Sequence, residues 1–219
     1  MTGQYDVVSF SILLGILSLV PILVVTTTSF LKISLVLLVL RNAIGVQQVP
    51  PTLAIYGISL AMSVFVMAPT IQDIGKVIAK IEATSGGANG KPLLSQAKEA
   101  FEPVRTFMLK YSRVEQRELF LQSAKKLWPK DVADQATTTD TLILIPAFVV
   151  SELQTGYEIG FLVYIPFVVI DLLVSNLLMA LGMQQVSPQT ITVPLKLLLF
   201  VLVDGWGKLL NALALSYAV

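Results

Sequence analysis

The sequence predicts an all-α protein of the membrane type, with about four kinked hydrophobic helices and a helical polar insert. Three observations predict it. Hydrophobic residues make up 55% of the 219 and charged residues only 13%, against about 25% charged in ordinary soluble domains, and the mean hydropathy is +0.78. Of the 15 basic and 14 acidic residues, 11 and 9 fall between Gln72 and Asp140, leaving 9 for the other 150 positions. Outside that cluster lie uncharged runs which, at 19 residues, reach roughly 28 Å as helices against a hydrocarbon core of about 30 Å. The expected organisation is therefore 1–71 hydrophobic helices, 72–140 polar helical insert, and 141–219 hydrophobic helices.

Residues 7–25 carry no charge and can span. No Lys or Arg precedes Lys32 and Asp6 has the wrong sign for a secretory leader, so a resident helix is expected. After Pro21, the TTTS run ending at Ser29 interrupts the apolar stretch, which residues 30–40 continue. One long kinked helix or two shorter ones would satisfy this, with hydroxyls covering backbone groups freed near the proline. Gly45 and the Pro50-Pro51 pair mark a turn, and residues 53–71 form the next candidate span. In the insert, apolar residues recur every three or four positions from Ala97 to Tyr111, one face of an amphipathic helix. Ser95 is its expected N-cap and Pro103 an expected kink or restart. A second helix over 114–128 would place Leu119, Phe120, Ala124, Leu127 and Trp128 on one face and stop at Pro129. Residues 142–150 open the last block, a polar stretch follows to Glu158, and 161–183 is long enough to span. The final apolar pair, 193–203 and 209–219, is interrupted at Asp204 to Lys208 by DGWGK.

The composition excludes much chemistry. There is no His and no Cys, hence no imidazole base, thiolate, disulfide or CxxC metal site. The acids outside the insert are only Asp6, Glu152, Glu158, Asp171 and Asp204. GGANGKP at 86–92 lacks the first glycine and the Ser/Thr of a phosphate loop and reads as a flexible linker. A net charge of +1 gives no reason to expect nucleic acid as a partner, and no cofactor or metal is expected. By the positive-inside rule, the Arg41 loop and the 184–192 loop face the cytoplasm and the insert faces the other side. The insert's own basic residues oppose this, but long translocated segments escape the rule.

Polar groups inside apolar runs are costly unless they face a protein partner or a water path. Lys32, Asp171, Asn176, Lys196 and Asp204 form that set, as buried polar or ion-pairing residues or as a path lining. A small secondary transporter using Lys32 and Asp171 and a carboxylate-based membrane enzyme are both consistent with these residues. No internal repeat of the kind transporters show is present.

SFLKISLVLLVLRNAIGVQQVPP at 29–51, FVMAP at 65–69, IPAFVVSELQTGYEIGFLVYIPFVVIDLLVSNLLMALGM at 145–183 and VSPQTITVPLKLLLFVLVDGW at 186–206 together resemble the FliP/SctR family, the R-type subunit of the type III secretion export apparatus. VQQVPP points to its injectisome branch. The resemblance implies a subunit of the bacterial inner membrane with the insert on the periplasmic side. It further implies about five copies assembling with S-type and T-type subunits into a helical cone, largely above the bilayer, around a pore for unfolded secreted proteins. Membrane lipid is an implied partner as well. The family's constriction is a methionine run after the LGM glycine, which the resemblance carries onto Met183, Gln184 and Gln185. Two glutamines make such a ring wetter than methionine's adaptable thioether would. Gln154 in SELQ stands where the resemblance leads one to expect lysine.

Overall fold

The computed structural model describes residues 7–46, 49–85 and 93–218, and every regular element among them is a helix. The linker assigned to 86–92 lies outside the described residues, as do Asp6 and the glutamines of VQQVPP, Gln47 and Gln48.

Helix α1 (Val7–Thr27) runs through Pro21 and ends in the threonine run. It meets α2 (Phe30–Ile44) at a bend of 71°. The two shorter helices are therefore what forms, and the break sits at Thr28 and Ser29 rather than at the proline. The hydroxyls do not serve Pro21 either. Thr26, Thr27 and Thr28 donate back to the carbonyls of Ile22, Leu23 and Val24, each four residues earlier, the local alternative that bends or ends a helix. Ser63, from the next helix, closes the corner, accepting from Ser29 and donating to Thr28, both at 3.1 Å.

Helix α2 is the central element. Ile33, Val36, Leu37, Leu40, Ala43 and Ile44 are all buried. Gly45, at φ 84, ends the helix in the left-handed conformation that glycine adopts without a Cβ penalty. Helix α3 (Thr52–Ser85) continues past Pro69 and on beyond Ile71 as one element of 34 residues. A helix tolerates these positions because its neighbours, not hydropathy, decide where it stops.

The insert supplies α4 (Leu93–Tyr111), α5 (Val114–Leu127) and the single turn α6 (Lys130–Ala133). Helix α4 passes through Pro103 without restarting and Ser95 lies inside it, so the expected cap at Ser95 and the restart at Pro103 are both corrected. On α5, Ala124 is buried while Leu119 and Leu127 are 55% and 80% exposed. The single apolar face expected there does not form, because α5 packs mainly on the helix that begins at Thr141 and leaves its other sides open. Arg105 grips Glu102 at 2.6 and 2.8 Å, holding that carboxyl below its usual range, and also donates to the Thr139 carbonyl. Arg113 ties the insert to α7 (Thr141–Ala180) through its N–H to Ser151 at 2.9 Å and its guanidinium to Glu158 at 2.6 Å.

Helix α7 is unbroken over 40 residues despite Pro146 and Pro166. The expected polar gap before Glu158 is instead a packing face. Ser151, Glu152, Gly156 and Gly160 are buried, and the glycines let α2 approach. A Cβ on Gly156 would lie 2.9 Å from Leu35 Cδ2, and one on Gly160 3.2 Å from Val39 Cγ1. Helices α8 (Gln189–Leu202) and α9 (Gly205–Leu215) meet at 64° around Asp204, inside the DGWGK break. Two helices, α3 and α7, are long and apolar enough to cross a membrane, or four spans if each bent pair counts as one.

Candidate functional site

Two buried ammonium groups organise the interior. Lys32 points from α2 toward α7, where Glu152 lies 3.6 Å away, and the two side chains are 3% and 2% exposed. Tyr217, just past α9, completes the arrangement. Its hydroxyl donates to Glu152, and its ring lies under the Lys32 ammonium at 3.4 Å from the centroid. The insert reaches the same point, since Tyr111 donates its hydroxyl to the Tyr217 carbonyl and Phe107 stacks on the Tyr217 ring at 6.0 Å. Four parts of the chain thus meet at one buried charge pair. Desolvated charges are tolerated only where partners and hydrogen bonds surround them, and here each has two.

Lys196 of α8 forms the second group. Its ammonium donates to Asp171 at 2.6 Å and to the Ala43 carbonyl at 3.0 Å. That carbonyl belongs to the last turn of α2, which has no N–H of its own to receive and carries the negative end of the helix dipole. Asp171 is 44% exposed while Lys196 is 4% exposed. The pair is therefore asymmetric, with the cation inside and the carboxylate half outside.

The other expected residues are placed differently. Asn176 lies on the exposed face of α7, and Asp204 is exposed at the α8–α9 corner with φ 54. The structure does not bring these two into the buried set. Met183, Gln184 and Gln185 are exposed in the turn between α7 and α8. Gly182 at φ 71 turns the chain there, and the Met183 N–H returns to the Leu178 carbonyl at 2.9 Å. Glu152 was absent from the expected set, although a lone carboxylate in an apolar run needs a cation as much as Lys32 needs an anion. Nothing local marks Tyr217. Among the described residues no cluster of three or more carboxylates could hold a metal ion.

The family model for FliP matches residues 13–213, a range that contains every one of these groups except Tyr217. The chain belongs to the FliP family. The harpin secretion protein HrpW of Pseudomonas syringae pv. syringae is 54% identical over 207 residues, covering 94% of this chain and 99% of that protein. The harpin secretion protein HrcR of Erwinia amylovora is 47% identical over 216 residues, 99% of each. The Yop proteins translocation protein R of Yersinia pestis is 43% identical over 212 residues, 97% of each. As a FliP family member with these relatives, the chain is of the injectisome R type.

Proposed function

We propose that this FliP family chain is a pore-forming core subunit of a type III export apparatus, conducting unfolded proteins across the bacterial inner membrane. The observation that carries the reading is near full-length similarity to relatives named for harpin secretion and Yop translocation. The surface supports it. Leu172, Leu173, Leu177, Val201 and Leu202 are each more than half exposed, apolar surface that lipid or neighbouring subunits must cover. About five copies, joined by S-type and T-type subunits, would cover such surface around a pore. The role is structural rather than catalytic, with Met183, Gln184 and Gln185 at the narrowest point and the insert in the periplasm.

The test is secretion. A strain lacking this gene should fail to export a type III substrate and recover when the chain is restored, and the chain should purify in a complex several times its own 23.8 kDa. Normal export in the deletion strain, or a functional monomer, would overturn the reading. Because the chain has no Cys, a single Cys at Lys126 is a unique reporter of the insert's side. Labelling of intact spheroplasts by an impermeant maleimide is expected, and labelling only after lysis would place the insert in the cytoplasm.

A further inference from the structure

An apolar groove of about 520 Å³ runs along the outer face where α7 meets the α8–α9 corner. Phe167, Phe200 and Gly205 form its buried floor, and Val163, Ile170 and Val203 its walls. None of these belongs to the two buried ion pairs or to the Met183 turn. One polar side chain lines it, Lys208.

Lys208 is exposed, and among the described residues it makes no ion pair. Asp204, one turn earlier, does not neutralise it. The Asp204 carboxylate lies against the first turn of α9, where a Cβ on Gly207 would come 2.7 Å from Oδ2, and so faces the positive end of that helix. Lys208 is thus an unmatched cation inside a bent apolar pair of span length, a position where a charge is costly without an anion.

We propose that the groove holds one acyl chain of an anionic phospholipid, with its phosphate against the Lys208 ammonium. The volume lies in the range of small-ligand sites, about 300–1,000 Å³. A protein helix fits it poorly, because a cylinder about 10 Å across fills 520 Å³ with little more than one turn. Hydrocarbon satisfies walls that offer no hydrogen-bonding side chain, and phosphate satisfies the cation they flank. Basic pockets between membrane helices bind phospholipid headgroups on the same principle. The proposal requires only that the chain resides in a membrane, so its failure leaves the secretion assay untouched.

Trp206 reports on the groove, since its ring meets Phe200 edge-on at 5.4 Å. The full chain, in whatever assembly it forms and with Trp128→Phe to isolate that signal, is reconstituted with phospholipids brominated on the acyl chain. Quenching by brominated phosphatidylglycerol should need about five-fold less lipid than by brominated phosphatidylcholine, the preference one lysine gives at a membrane surface. Lys208→Gln should erase the preference and Lys208→Arg restore it, with unchanged circular dichroism showing that the variants fold. Val203→Phe, which fills the groove, should weaken quenching by both lipids. Equal quenching by the two lipids, or a preference that survives Lys208→Gln, would overturn the proposal. So would a Trp206 that neither lipid quenches, which would assign the groove to a protein partner.

Discussion

Removing Lys32 should cost this chain more than removing almost any exposed charge, and the structure allows the amount to be worked out. Lys32→Met leaves Glu152, 2% exposed, with one donor, the Tyr217 hydroxyl. An uncompensated buried charge of this kind costs about 3–5 kcal/mol. Glu152→Gln is milder, because Lys32 keeps the Tyr217 ring at 3.4 Å, and a desolvated cation–π contact is worth about 2 kcal/mol. A loss of about 1–3 kcal/mol remains. The double variant has no buried charge left, so it should be less destabilised than the sum of the singles by about 2 kcal/mol, as expected for groups in contact. The assay is unfolding of the purified chain in mixed micelles by rising dodecyl sulfate, followed by helical circular dichroism. If the double loss equals the sum of the singles to within about 0.5 kcal/mol, the two groups do not act as a pair and the reasoning fails.

The Asp171–Lys196 pair should respond asymmetrically in the same assay. Asp171→Asn strands a cation that is 4% exposed, whereas Lys196→Gln strands a carboxylate that is 44% exposed; the first should cost about 3 kcal/mol and the second clearly less, and the reverse order would refute the burial argument. Gly205→Ala places a Cβ 2.3 Å from Phe200 Cε2, too close for the ring to keep its packing on Phe167 and Trp206, and should lower stability by about 1–3 kcal/mol. Gly156→Ala meets the flexible end of Leu35 at 2.9 Å, with Lys32 Cα in ordinary contact at 3.5 Å, and should cost less. For the exposed turn, Gln184→Met with Gln185→Met should reduce small-solute leak, and replacement of Met183, Gln184 and Gln185 by Ala should increase it, at matched complex levels. Identical leak in all three would remove these residues from the gate.

Much of the helix punctuation was legible in the sequence. The break in the TTTS run and the one at DGWGK both form, because a hydroxyl cluster and an Asp that adopts the left-handed conformation offer the backbone local alternatives to the helix. The interior of α7 was not legible. Ser151, Glu152 and Gly156 look like a gap on a hydropathy scale, yet they are the face on which α2 and the insert pack. Lys32 and Lys196 stood out by their cost in an apolar run, and Lys196 meets one of the expected acids, Asp171. The partner of Lys32 did not stand out, since Glu152 sits among other polar residues and Tyr217 is remote in sequence. Exposure of Asn176 and Asp204 depends on which helix faces turn inward, and that is settled by long-range packing.

The unbroken length of α7 bears on the height of whatever surrounds it. Forty residues make a rod about 60 Å long, and a tilt of 40° still leaves roughly 46 Å of it along the membrane normal, against a hydrocarbon slab of about 30 Å. Leu142 apart, its large exposed apolar side chains run from Tyr157 to Met179, about 33 Å of helix, whereas no apolar side chain from Ile143 to Gly156 is exposed, because the chain's own α2, α4 and α5 pack there. The roughly 16 Å of rod beyond the slab is thus sheathed from within, by α2 and the insert rather than by lipid. An insert detached from α7 would leave a greasy band standing in water, where aggregation competes with assembly.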